Sequence, residues 1–191
     1  MSASIRKVTR GSHLASPVSK GDLAPKATGC SRDYIDHLAG DISKKLGYKP
    51  GDDLEILVKA LGGEIKVHPW QEPCHDGSIE VRGFGDFTIC LSPFTSELRD
   101  RFTIAHELGH YFLHSLVGSK KINIAREGSN PVEWEANWFA TGFLVPSSSF
   151  KKAFDECGGD IWQLAARFKV SSQTIQLRIK ELNLGLQTSH H

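Results

Sequence analysis

One stretch of the sequence indicates both the fold and the chemistry: Arg101-Phe102-Thr103-Ile104-Ala105-His106-Glu107-Leu108-Gly109-His110-Tyr111-Phe112-Leu113-His114. It contains the pattern His-Glu-x-x-His, with histidines at positions 106 and 110. On an α-helix, residues four apart lie on the same face, one turn apart. Two imidazoles placed in this way can bind one zinc ion. The sequence therefore predicts a metal site on this helix.

Glu107 lies about 100° around the helix axis from His106, because an α-helix has 3.6 residues per turn. We expect its carboxylate beside the metal, where it can accept a proton from water as a general base. Apolar residues recur at helical spacing through the same stretch, which predicts a buried, amphipathic helix. Ser96, or Thr95 before it, is a candidate N-cap for this helix.

A catalytic zinc ion needs a third protein ligand. The motif that continues with Gly and then His is absent, since Leu113 and Leu116 occupy those positions. His114 lies about 12 Å along the helix axis from His106. We therefore expect His114 to support the site rather than to bind the metal.

Residues 130–146 predict a second helix, capped by Asn130 and ended by Pro146. It carries two carboxylates, Glu133 and Glu135, which point about 200° apart around the helix. Glu133 shares a face with Asn137, whose amide can hold a zinc-binding histidine. The sequence therefore predicts Glu133 as the third ligand, with Glu135 as the alternative.

The segment 101–114 is followed at 133–146 by Glu-x-Glu-Ala-Asn-x-Phe-Ala-x-x-Phe-Leu-Val-Pro. Together these segments resemble the ImmA/IrrE family of zinc metallopeptidases, and the resemblance covers roughly residues 32–185. In that family the two motif histidines and a glutamate on the next helix bind zinc, and the motif glutamate is the catalytic base. The resemblance assigns these roles here to His106, His110, Glu133 and Glu107. The family often has Leu-Leu-Met-Pro where this chain has Phe-Leu-Val-Pro.

Composition narrows the possible classes of protein. The chain has 23 basic and 22 acidic residues, a formal net charge of +1, so charge gives no bias toward nucleic acid or membranes. No apolar run is long enough to span a bilayer. Four isolated cysteines without a Cys-x-x-Cys pair suit a reducing cytosol, and we expect a cytoplasmic protein. Cys74 and His75 are most simply loop residues, although these types can bind metal.

Patterning along the chain predicts four regions. Residues 1–31 form a flexible basic tail, 32–146 a zincin-like metallopeptidase core, 147–185 a C-terminal helical segment packed on the core, and 186–191 a second tail. Besides the two helices that carry the site, the core is predicted to contain two helices between residues 32 and 61, three short strands at 63–68, 77–82 and 86–91, and a loop at 115–130. The fold class is α+β, with a small antiparallel sheet, the His-Glu-x-x-His helix as the active-site helix, and a helix-turn-helix-like C-terminal segment.

The predicted function is that of a zinc-dependent endopeptidase, although the same ligands also accept Mn²⁺ or Fe²⁺. The resemblance implies a protein substrate, a separate helix-turn-helix transcriptional repressor whose cleavage relieves repression in a stress response or a mobile element. The alternatives are a DNA-binding regulator that uses residues 160–183 or a protein that sequesters its partner, with a structural zinc site. Arg178 and Lys180 are the candidates for phosphate contact. His68, His75 and Tyr111 are candidate oxyanion donors.

Overall fold

The structure is a computed structural model that describes residues 24–68, 77–125 and 130–185. Within these ranges the chain forms seven α-helices, one π-helical turn and four strands. The elements in chain order are α1 (Arg32–Lys45), α2 (Leu54–Ala60), β1 (Gly63–Val67), β2 (Ser78–Gly83), β3 (Asp86–Leu91), α3 (Glu97–Gly109), the π turn (His110–His114), β4 (Ile122–Ala125), α4 (Pro131–Leu144), α5 (Ser147–Glu156), α6 (Ile161–Phe168) and α7 (Ser172–Glu181).

The two helices that carry the predicted site begin at polar N-caps. The Ser96 side chain accepts from the Arg99 N–H at the start of α3. The Asn130 side chain accepts from the N–H groups of Val132 and Glu133 at the start of α4. These bonds satisfy donors that would otherwise lack an intrahelical partner. Both caps are confirmed, and together they set where His106 and Glu133 fall along their helices.

The four strands form one mixed sheet in the order β1-β3-β2-β4. β2 is antiparallel to both β3 and β4, whereas β1 is parallel to β3. The prediction of an antiparallel sheet was therefore wrong for one of its three pairings. β2 runs opposite to both β1 and β3, so β1 and β3 run in the same direction. The connection from β1 to β2 is long enough for β2 to lie on the far side of β3.

β4 lies within the region that the sequence predicts as a loop. Its Ile122 and Ile124 are buried on either side of an exposed Asn123, and the strand pairs with β2 through Ile79 opposite Ile124. This alternation is the expected pattern of a half-buried strand. It spans only four residues, too few to stand out among the surrounding Gly, Ser, Lys and Asn residues.

The helices α3 and α4 cross with their backbones in close contact. A Cβ atom at Gly109 would lie 3.1 Å from the Cα atom of Ala136, so the absence of a side chain sets the separation of the two helices. A second close approach joins α4 to α1, where a Cβ atom at Gly142 would lie 2.8 Å from the carbonyl oxygen of Asp36. The predicted site is held between packed helices as a result.

The C-terminal helices pack on the core through an internal cation. Arg178 on α7 is 2% exposed, and it donates to the Val145 carbonyl oxygen and to the carboxylates of Asp36 and Glu181. Its suggested contact with phosphate is therefore wrong, because the guanidinium is buried and fully engaged. Lys180, the other candidate, is exposed. None of the helices in the described part of the chain combines the length and apolar character needed to cross a membrane.

Candidate metal centre

Two helices bring three potential metal ligands together. His106 near the end of α3, His110 at the start of the π turn and Glu133 in the first turn of α4 have ligand atoms that all lie within 4.8 Å of one another. The Nε2 atoms of the two histidines are 3.1 Å apart. The Glu133 oxygens lie 3.1 Å from Nε2 of His106 and 3.5 Å from Nε2 of His110. All three residues are buried.

The protons on His106 can be assigned from its hydrogen bonds. Its Nδ1 atom is 3.0 Å from Oδ1 of Asn137, an oxygen that can only accept. Nδ1 of His106 therefore donates to Asn137, and Nε2 faces Glu133 and His110. Two imidazole nitrogens and a carboxylate oxygen that converge on one point form a donor set that suits Zn²⁺. These residues fit the metal that the sequence predicts.

The helix that carries the motif is not α-helical throughout. It changes after Gly109 to a π turn, and the Ser115 N–H donates to the His110 carbonyl oxygen five residues earlier. Such turns occur mostly as single turns within helices, frequently at functional sites. In the wider turn His114 stays close to His110, with their Nδ1 atoms 2.9 Å apart. His114 therefore contacts a predicted ligand from behind and does not belong to the three-residue cluster.

His114 also contacts the second carboxylate of α4. Its Nε2 atom is 3.1 Å from Oε2 of Glu135. Burial lowers the pKa of His114 to about 4, helped by the neighbouring His110 and opposed by Glu135. The ring is consequently neutral at physiological pH. The structure thus places Glu133 with His106 and His110, and it places Glu135 with His114.

Both carboxylates of α4 are ionised despite their burial. Burial acts to raise the pKa of Glu133, but contacts with His106 and His110 outweigh it, so this pKa lies below its ordinary value. Burial likewise acts to raise the pKa of Glu135. Hydrogen bonds from the backbone of Thr28 and Gly29 and from His114 lower it below its ordinary value. The two negative charges are held at separate positions.

Glu107 lies outside the ligand cluster, between α3 and the start of β2. Its side chain is 1% exposed, and a Cβ atom at Gly77 would lie 3.0 Å from its Oε1 atom. Cys90 on β3 is close enough that the Glu107 charge adds to the raised pKa of its thiol, which is due mainly to burial. The sequence does not predict that Cys90 lies near Glu107, because an isolated cysteine in a strand belongs to no motif.

The remaining candidates for the site are placed elsewhere or are not described. Tyr111 stacks on Phe87 with ring centroids 4.3 Å apart, and its hydroxyl accepts from the Gly85 N–H. It therefore supports the β2–β3 turn. His68 follows the end of β1 and is half-buried. Cys74 and His75 lie outside the described residues.

The fold is of mixed α and β type, and the two motif histidines and a glutamate on the next helix form a candidate metal site. The family described as the IrrE N-terminal-like domain, Peptidase_M78, matches residues 72–180. The match covers more than half of the chain and includes every residue of the cluster. The chain belongs to the ImmA/IrrE family of metallopeptidases.

A curated relative and a solved structure are similar to parts of this chain. Metallopeptidase ImmA of Bacillus subtilis is 31% identical over 84 residues, which are 43% of this chain and 50% of that protein. A Mycobacterium tuberculosis transcriptional regulator superposes with a TM-score of 0.54 at 20% identity, over 77% of this chain and 47% of that one. The latter similarity supports the fold alone. The chain spans about half the length of each protein.

Proposed function

We propose that this protein is a zinc-dependent endopeptidase that uses Glu107 as its general base. The observation that carries the proposal is the buried convergence of His106, His110 and Glu133 at the crossing of α3 and α4. Family membership supports a metallopeptidase. His106, His110 and Glu133 would hold the metal. A zinc ion bound there supplies Lewis acidity, which polarises a peptide carbonyl and makes nearby water more acidic.

The chain's own residues then have separate tasks. Glu107, on the same helix as the two histidines, accepts a proton from the attacking water. The water oxygen bonds to the carbonyl carbon, the C–N bond breaks, and Glu107 passes the proton to the leaving nitrogen. Asn137 holds His106 in the tautomer that keeps its Nε2 lone pair available. The side chains of His106, Glu107, His110 and Glu133 are all buried, which limits their contact with bulk water.

We propose that the substrate binds in an extended conformation along β4. Among the described strands, β4 is the edge strand next to β2, and the start of β2 covers Glu107. β4 also precedes the helix that carries Glu133 by only a few residues. An extended peptide can add to such an edge through main-chain hydrogen bonds. This geometry favours an endopeptidase that cuts within an unfolded or flexible segment.

The proposed substrate is a separate helix-turn-helix repressor, so that cleavage relieves repression in the cytoplasm. The support for this partner is membership of the ImmA/IrrE family, as the resemblance implies. Regulation by direct DNA binding through residues 160–183 is the weaker alternative. The burial of Arg178 removes one of the two cations proposed for it.

The test is the pair of wild type and Glu107→Gln. Both proteins are purified, loaded with zinc and assayed for metal content by mass spectrometry and for cleavage of a repressor carrying a helix-turn-helix. We expect about one zinc ion per chain in both proteins, and loss of cleavage by a factor of about 10² to 10⁴ in the variant. A repressor encoded beside this gene is the first substrate to use. Cleavage by Glu107→Gln at the wild-type rate would contradict the mechanism.

A further inference from the structure

Glu135 is held by a segment of the chain that is distant in sequence. The Thr28 N–H donates to its Oε2 atom at 2.8 Å, and the Gly29 N–H donates to its Oε1 atom at 2.9 Å. Glu135 is 3% exposed, and its Oε2 atom also lies 3.1 Å from His114. The carboxylate therefore joins the chain just before α1 to the histidine behind the metal centre. Both residues lie within 1–31, the region that the sequence predicts to be a flexible tail.

The contacts of Glu135 with His114 and of His114 with His110 select one arrangement of protons along this chain of groups when the rings are neutral. An ionised carboxylate can only accept, so Nε2 of His114 must be the donor to Glu135. Nδ1 of His114 then carries the lone pair, and Nδ1 of His110 must donate to it across 2.9 Å. Nε2 of His110 is left with its lone pair, which points toward His106 and Glu133. This is the tautomer that a metal ligand requires.

We propose that Glu135 and His114 are positioning residues that hold His110 in its metal-binding tautomer, and that the backbone of Thr28 and Gly29 completes this relay. The inference rests on the proposed function, because it treats His110 as a metal ligand. Contact of Thr28 and Gly29 with Glu135 and binding of the metal therefore strengthen each other. Whatever releases Thr28 and Gly29 from Glu135 weakens metal binding, and bound metal tightens the contact of the segment by the same factor.

The proton arrangement is tested first, by nitrogen NMR of the histidine rings in the metal-free protein. The expected spectrum has His110 protonated on Nδ1 and His114 protonated on Nε2. Signals are assigned by comparison with variants that each lack one histidine. His114→Asn keeps an oxygen near the Nδ1 position for His110 but cannot reach Glu135. A wild-type spectrum with His114 protonated on Nδ1, or with His110 protonated on Nε2, would overturn the relay.

The coupling is tested by zinc affinity, measured by competition with a chromophoric chelator. We expect Glu135→Gln to bind zinc about 10- to 100-fold more weakly, as is typical when an outer partner of a ligand is changed. Its matched control is Glu181→Gln, the same change at another buried carboxylate, which pairs with Arg178 remote from the cluster. Wild-type zinc affinity in Glu135→Gln would overturn the proposal.

The backbone donor is tested by a pair of changes at one position. Thr28→Pro removes both the N–H and the hydroxyl that contact Glu135, whereas Thr28→Ser keeps an N–H and a hydroxyl. We expect zinc binding to weaken at least about fivefold in Thr28→Pro, the effect of the lost hydrogen bonds, and to be unchanged in Thr28→Ser. Equal affinity in the two variants would overturn the role of the segment. This pair also decides the question if Glu135→Gln fails to fold.

Failure of the proposed function would look different. A wild-type protein that binds no zinc would contradict the proposed peptidase, whereas the NMR spectrum of that same metal-free protein would still decide whether the relay exists. A wild type that binds zinc while both Glu135→Gln and Thr28→Pro bind equally well would contradict the relay alone. The two hypotheses are therefore separated by measurements on the same set of proteins.

Discussion

At the scale of single residues, the candidate metal site consists of side chains that two helices bring within 4.8 Å of one another. The spacing of His106 and His110 requires only the geometry of a helix. The helical wheel also separates Glu133 from Glu135, and in the structure Glu133 lies with the two histidines. The link from His110 through His114 to Glu135 was not predictable, because it depends on a π turn that no pattern in the sequence announces.

Asn137 gives the sharpest test at this scale. Its Oδ1 atom accepts from Nδ1 of His106, which fixes the tautomer of that ring. We expect Asn137→Leu to weaken zinc binding about 10- to 100-fold, because the ring loses the acceptor that orients it. Asn137→Asp keeps an acceptor at the same position and serves as the control. Zinc affinity by chelator competition is the measurement, and a Leu variant with wild-type affinity would refute this role.

At the scale of helices and strands, the ends were predicted better than the pairings. An N-cap bonds to residues only two or three positions later, so the caps Ser96 and Asn130 can be predicted from a few neighbouring residues. The order of the strands depends on which connection is long enough to pass over a neighbour, and the sequence does not contain that information directly. β4 was missed for a similar reason, since its partner β2 is more than forty residues earlier and its own pattern is short.

The crossing of α3 and α4 is an element-scale feature with a testable cost. A Cβ atom at Gly109 would lie 3.1 Å from Cα and 3.2 Å from the carbonyl oxygen of Ala136, so backbone would have to shift. We expect Gly109→Ala to destabilise the protein by about 1–3 kcal/mol, as overpacking typically does. Urea unfolding in the presence of a chelator measures this free energy without a contribution from bound metal.

Gly40 on α1 provides the matched control for this crossing. A Cβ atom there would meet its nearest neighbour, the Cβ atom of Pro146, at an ordinary 3.7 Å. Because alanine is the better helix former, Gly40→Ala should be neutral or stabilising by up to about 1 kcal/mol. Equal stability of the Gly109 and Gly40 variants would show that the helices are not held at the separation described here.

The cap of α6 gives a pH-dependent prediction. Asp160 accepts from the N–H groups of Gln163 and Trp162, and these bonds, chiefly those with Gln163, hold its pKa below the ordinary 3.8. A lowered pKa in the folded state stabilises the protein fully above the unfolded value, and the stabilisation is lost as pH falls through the folded value. Asp160→Asn keeps a capping side chain that does not titrate.

Melting temperatures of the wild type and Asp160→Asn from about pH 7 to about pH 2 measure this effect. We expect the difference between the two proteins to be constant near neutral pH. Below the ordinary pKa of 3.8 the wild type should lose stability relative to the variant. A difference that stays constant down to about pH 2 would show that the Asp160 carboxylate does not support the helix as an anion.

At the scale of the whole molecule, long-range contacts decide features that local patterns cannot. Arg178 looks like a surface cation in the sequence, but in the structure it joins α7 to α1 and to the end of α4. Thr28 and Gly29 lie in a stretch with no helical or strand period, yet their N–H groups reach a carboxylate more than a hundred residues later. In both cases the partner is specified only after the helices have packed.

Zinc itself should link the stability of the whole molecule to the ligand assignment. A metal bound to the folded state alone adds about 2.7 kcal/mol at a free concentration of 100 times the dissociation constant. For a chain of this size that corresponds to a rise in melting temperature of about 5–10 °C. We expect this rise in melting temperature in the wild type and in Glu107→Gln, since the general base is not a ligand. A chelator should abolish the rise in both proteins.

Glu133→Ala should show little rise in melting temperature with zinc, because one of the three ligands is missing. An equal rise in Glu133→Ala would mean that zinc stabilises the protein from another site, and a rise lost in Glu107→Gln would place Glu107 on the metal.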